Sequence, residues 1–194
     1  MSRAIVVNLW AGPGAGKSTM AAGVFYSLKS AGYNCELVTE FAKELTWEGR
    51  KAALNCQEYI TGKQSFRLQR CVEQVDVIIT DSPLPLGVFY NNNPTLDDNY
   101  TNTVMAIFNQ YENYNYFVRR LKKYNPAGRN QTEEQAKEID VLMYKFMDTH
   151  NITYTVVPGS RGGVEYVTEE IEKILRDKNI YPSIDGGGHE ELEY

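Results

Sequence analysis

Short runs of β-branched and aliphatic residues alternate along the chain with longer stretches whose apolar positions recur every three or four residues. "RAIVVNLW" (3–10) has no helical period and predicts a buried strand. "KSTMAAGVFYSLKSAGY" (17–33) places Met20, Val24, Phe25 and Leu28 at helical spacing and stops at Gly32. "CELVTE" (35–40) predicts a second strand and a helix follows over about 57–72. "VDVIITDSP" (75–83) is apolar enough for a third strand buried on both faces. "NYFVRRL" (115–121) and "ITYTVVPG" (152–159) supply a fourth and a fifth. Between them, "TEEQAKEIDVLMYKFMDTHN" (132–151) opens with a capping box, Thr132 with Gln135, and carries Ile139, Leu142, Met143 and Phe146 as an apolar stripe. "VTEEIEKILRDKN" (167–179) is the last amphipathic helix.

This alternation predicts an α/β fold: a five-stranded parallel sheet flanked by helices, with right-handed crossovers. Ligands of such sheets bind beyond the carboxyl ends of the strands. At 194 residues the chain corresponds to one domain over 1–180, followed by a Gly-rich acidic tail over 181–194. Four acids, Asp185, Glu190, Glu191 and Glu193, account for most of the net charge of −5. The rest is close to neutral, so net charge does not indicate DNA as a partner, although a local basic patch leaves it open. No apolar run is long enough to cross a bilayer and no signal peptide is recognised, so the expected location is the cytoplasm without membrane association. Cys35, Cys56 and Cys71 lie far apart with no metal-site spacing and read as reduced, space-filling residues.

The candidate chemistry sits at the strand ends. "AGPGAGKS" (11–18) follows the first strand and opens the first helix, the context a phosphate-binding loop requires; it departs from the strict pattern only at Ala11. Gly12, Gly14 and Gly16 can take positive φ and let backbone N–H groups face a phosphate. The nucleotide would be held by Gly12, Pro13, Gly14, Ala15, Gly16, Lys17, Ser18 and Thr19, at the N-terminus of the following helix. Lys17 would bridge the β- and γ-phosphates, and the Ser18 hydroxyl would ligate Mg²⁺. Asp81, closing the third strand, occupies the place of a Mg²⁺-holding carboxylate; a turn cap before Pro83 is the alternative. Glu40 ends the second strand and could take the proton of an acceptor hydroxyl, with Asp81 as the competing base and helix capping as the plain alternative.

Two basic groups surround these positions. "GKQSFRLQR" (62–70) puts Lys63, Arg67 and Arg70 on one helical face, as substrate contacts or as a solvated stripe, and Gln64 could hydrogen-bond a base edge. "RRLKKYNPAGR" (119–129) contains a Pro-Gly turn and reads as a lid over about 119–132, in which Arg120 or Arg129 neutralises transition-state charge. The aromatics from Tyr111 to Tyr124, including Tyr114, Tyr116 and Phe117, either stack on a base or fill the core. Asn91 to Asn93 supply amides nearby. No D-x-x-G follows the third strand and no N-K-x-D occurs, which excludes an ordinary GTPase switch. Asp81 has Thr80 and Ser82 as neighbours, not a second acid, and the chain is short for a remodelling ATPase. Its proportions are those of a nucleoside or nucleotide kinase.

Taken together, "LWAGPGAGKST", "VTEFAKEL", "GKQSFR", "VDVIITDSPL" and "YNPAGRNQTEEQAKEID" resemble small phosphate-loop proteins encoded by bacteriophages and related to the ribosylnicotinamide kinase domain type. The resemblance runs from about residue 4 to 160. It implies a kinase-like fold with a lid and ATP- and Mg²⁺-dependent transfer to a hydroxyl of a nucleoside or nucleotide. In some similar phage proteins the acceptor is 5-hydroxymethyluracil within DNA, which would place this chain in a host cytoplasm. Lys17, Ser18, Glu40, Asp81, Arg120 and Arg129 are the matching positions. A phosphate-loop ATPase, or a nucleotide-binding regulatory module without a small acceptor, is the alternative.

Overall fold

Every side chain of β1 (Ile5–Trp10) is buried, as a central strand covered on both faces requires. The computed structural model describes residues 4–96, 98–121 and 132–183. After β1 come α1 (Lys17–Ser30), β2 (Cys35–Val38), α2 (Phe41–Trp47), α3 (Lys51–Leu54), α4 (Gln57–Gln69) and β3 (Val77–Thr80). The second half runs α5 (Leu86–Phe89), α6 (Asp98–Phe108), β4 (Glu112–Arg119), α7 (Glu133–Thr149), β5 (Thr155–Pro158) and α8 (Arg161–Asp177). The five strands form one all-parallel sheet in the order β2-β3-β1-β4-β5. This is the predicted α/β architecture.

The order fixes where ligands go. From β1 the chain winds to one side for β2 and β3, then to the other for β4 and β5, so winding reverses at β1 and a crevice opens beyond its carboxyl end. Right-handed crossovers then put α1 on one face and the helices preceding β3, β4 and β5 on the other. The helix contacts agree: α1 packs on α8, while α5 touches α4, α6 and α7. Gly163 permits the α8 approach, because a Cβ there would collide with the Pro158 carbonyl.

Several boundaries differ from the sequence reading for physical reasons. β4 begins at Glu112, not 115, because its polar residues have partners inside the sheet. Asn8 Nδ2 donates to Asn113 Oδ1 at 2.9 Å and the Trp10 indole N–H donates to Asn115 Oδ1 at 3.1 Å. α8 starts at Arg161, ahead of the expected 167, through Gly162 and Gly163, whose poor helix propensity tertiary packing overrides. α2 and α3 had no periodic signal at all. The capping box of α7 is present, but the helix is rotated from its expected stripe: Ala136, Met143 and Met147 are buried, Ile139 and Phe146 half-buried, and Leu142 is 53% exposed.

The aromatic segment fills the core. Tyr116 and Phe117 are buried, and Phe117 stacks on Tyr144 with centroids 3.9 Å apart. Tyr124 lies outside the described residues, as do 122–131 of the expected lid and 184–194 of the expected tail. The described end of the chain returns to the body, where the Ser183 N–H donates to the Gly32 carbonyl at 3.0 Å. Cys35 and Cys71 are buried and Cys56 half-buried; all three are free thiols. No described helix is long and apolar enough to cross a membrane.

Candidate functional site

The loop between β1 and α1 has the backbone an anion needs. Gly14 and Gly16 adopt positive φ, 80° and 103°, so both must be glycine. Gly16 caps α1 with no side-chain hydrogen bond and no acid occupies the first turn, which leaves the helix dipole and its unpaired N–H groups open to a phosphate. Gly12 corrects the sequence reading, since it is not in the positive-φ region. Its constraint is space: a Cβ there would sit 2.5 Å from the Ala136 carbonyl oxygen and 2.9 Å from Asp140 Oδ1. Helix α7 presses directly on the loop.

Lys17 folds back over this loop, its Nζ donating to the Ala11 carbonyl at 2.7 Å and the Gly12 carbonyl at 3.3 Å. Burial lowers its pKa, while Glu40, Asp81 and Asp140 oppose that shift. The two strand-tip acids therefore lie near enough to Lys17 to act on its charge. Asp81 is buried, and its Oδ1 accepts the Glu40 backbone N–H at 3.0 Å, tying the end of β2 to the end of β3. Burial pushes the Glu40 carboxyl above its ordinary range; Lys17 pulls it back and Asp81 pushes it further up. A carboxyl raised this way is a better proton acceptor when ionised. Glu40 begins α2 but makes no capping bond with its side chain, which sets aside the capping alternative.

Arg120 lies where β4 ends, against the phosphate loop. Its guanidinium donates to the Pro13 carbonyl and to Asp140 Oδ2 at 2.8 Å, and Asp140 Oδ1 accepts the Gly12 N–H. The pair is mostly buried, with side chains 10% and 18% exposed, and Arg120 Nε has no partner among the described residues. Asp140 thus clamps the loop and the arginine from α7. No local motif announces it: in the sequence it is one acid among several on an amphipathic helix. Arg129 lies outside the described residues.

A cavity of about 520 Å³ opens beside the loop, lined by Lys17, Ser18, Thr19, Glu40, Gln64 and the residues of α2, α4 and α5 that face it. Gln64 is buried and holds the start of α2, with its Oε1 accepting the Phe41 N–H at 3.0 Å and its Nε2 donating to the Thr39 carbonyl at 3.3 Å. It is a positioning residue before it is a ligand contact. Arg67 does not line the cavity. It pairs with Glu44, donates to the Thr39 carbonyl at 3.2 Å and covers the Phe41 ring at 4.9 Å. Of the three asparagines, Asn92 reaches the cavity, whereas Asn91 and Asn93 bond the turn they sit in. Sequence reasoning missed Trp47 and Gln57, which line the same cavity.

The donors available for a metal are hydroxyl and carboxylate oxygens, suited to Mg²⁺ held largely by nucleotide phosphates and water. Among the described residues no cluster of three or more His, Cys, Asp or Glu forms a metal cage. Residues 6–166 match the AAA domain family, and the chain belongs to it. It is therefore a phosphate-loop nucleotide-binding domain of the ATPase-like class. Among solved structures, the crystal structure of APE1195 is similar at 16% identity and TM-score 0.47, over 90% of this chain and 98% of that one. No curated protein matches the chain in sequence.

Proposed function

We propose that this AAA-family domain is an ATP- and Mg²⁺-dependent kinase that transfers the γ-phosphoryl group to a hydroxyl of a nucleoside, a nucleotide or a modified DNA base. One observation carries the reading: the phosphate loop and the Glu40 carboxyl share a single cavity large enough for a small acceptor. A hydrolytic domain needs room only for water there.

In this mechanism the backbone N–H groups of 14–18 and the Lys17 ammonium hold the β- and γ-phosphates. Ser18 and Asp81 would hold Mg²⁺, whose charge offsets that of the phosphate oxygens. Glu40 accepts the proton of the acceptor hydroxyl as its oxygen bonds to the γ-phosphorus and the bond to the β-bridging oxygen breaks. The products are ADP, a phosphate monoester and a proton released from Glu40. Arg120 stands beside the loop but outside this cavity, and would have to leave Asp140 or Pro13 to meet charge developing on the transferred group.

The resemblance to phage proteins adds 5-hydroxymethyluracil in DNA to the acceptors. A net charge of −5 and a recessed cavity favour a free or extruded nucleoside over paired duplex. Incubation with γ-labelled ATP and a panel of nucleosides, mononucleotides and hydroxymethyluracil DNA tests the proposal. Label transferred to an acceptor is expected. Label recovered only as free phosphate with every acceptor would replace the kinase with an ATPase, and tight ATP binding without turnover would indicate a regulatory module.

A further inference from the structure

The transfer chemistry leaves two features of the cavity unused. Trp47 closes α2 with 70% of its surface exposed, yet it lines the cavity wall. The chain's other tryptophan, Trp10, is fully buried, with its N–H bonded and Phe108 at its edge. Neighbouring rings have partners: Phe41 meets Tyr59 and Arg67. Among the described residues no ring or cation contact involves Trp47. A large ring left in solvent forgoes the burial that would stabilise it, and at a cavity wall a planar ligand can supply that burial.

The second feature is Gln57, the first residue of α4. It is 5% exposed and lines the same cavity, but its side-chain amide makes no hydrogen bond within the described residues. Gln64, on the same helix, has both ends of its amide engaged. Neither amide atom is sealed from solvent, so the unpaired amide opens on the cavity it lines, where a ligand's polar edge can complete it. The amide presents a donor and an acceptor side by side.

We infer that the acceptor carries a planar heteroaromatic ring that stacks on Trp47 and offers Gln57 an adjacent acceptor and donor, as a nucleobase edge or a ring carboxamide does. This rests on the proposed kinase reading only in calling the ligand an acceptor. Aliphatic alcohols and bare sugars lack the planar ring and are excluded as good ligands.

Tryptophan emission reads the stack without any turnover. The ADP·Mg²⁺-loaded protein is titrated with the common nucleosides, 5-hydroxymethyldeoxyuridine, nicotinamide riboside and, as a ringless control, ribose. Trp47→Phe supplies the Trp10 baseline. At least one ring-bearing ligand should quench Trp47 saturably while ribose does not. Isothermal titration of the same ligands should give about tenfold weaker binding for Trp47→Leu and for Gln57→Met, with most affinity kept by Trp47→Phe. ADP affinity, within about twofold of the parent in each variant, confirms an intact fold. The inference is overturned if no ring-bearing ligand alters Trp47 emission, if ribose does so equally, or if Trp47→Leu and Gln57→Met bind as the parent does. Binding without transfer would remove the kinase reading alone. Transfer to an acceptor whose KM ignores both residues would remove this inference alone.

Discussion

The phosphate loop and the α2–α4 wall face each other across one cavity, yet they are held by different means. The loop takes its shape from backbone, with two positive-φ glycines and the uncapped start of α1, and is pinned from outside at Gly12 and Pro13 by Asp140 and Arg120. The opposite wall hangs on side chains. Gln64, Arg67 and Asp81 bond the turn at Thr39 to Phe41, while Trp47 and Gln57 keep no partner among the described residues. Phosphates are common to all nucleotides and suit a preorganised cradle. The wall's unpaired groups are free to select one ligand from many.

Five measurements test that contrast. Lys17→Met removes the cation from the rigid side, and nucleotide turnover should fall by about 10²–10³-fold in a steady-state product assay. Near-parent turnover would mean the loop's amides act alone. Asp140→Ala strands a mostly buried arginine, and denaturant unfolding should show a loss of about 3 kcal/mol. The double variant Arg120→Met with Asp140→Leu should recover part of it. Gly12→Ala drives a methyl into the α7 backbone and should cost about 2 kcal/mol by the same method. A neutral result would show that α7 can step aside.

The fourth measurement concerns the wall. Because burial raises the Glu40 pKa, the folded state favours the protonated form; its stabilising effect is complete below pH 4.5 and is lost as pH rises through the folded value. In EDTA and without nucleotide, Glu40→Gln should therefore raise Tm by about 3 °C at pH 7 and by little at pH 4. It should also abolish transfer. The smallest effect is kinetic: Cys56, beside the wall, should label with a thiol reagent first. Cys35, buried in strand β2 with its thiol pushed up to about 11 by burial, should wait for global unfolding. Equal rates would mean that the two halves open together.

The sequence made the strands readable wherever burial was continuous, as in β1 and β3, and it made α7 readable through its Thr132 cap. It hid β4's first residues, because Asn113 looks like a loop residue until Asn8 is beside it. It also hid α2 and α3, which bury too little to show a period: only Leu45 is fully buried between them.

What sequence alone established is the strand–glycine loop–helix unit and the acids at positions 40 and 81. Those features are local, since a backbone cradle and the residue after a strand are set by immediate neighbours. The fold had to supply the rest: the steric reason for Gly12, the Asp140 clamp on Arg120, and the meeting of Trp47 with Gln57 in one cavity. Each joins residues of different elements, and no spacing within one element can encode a contact between elements.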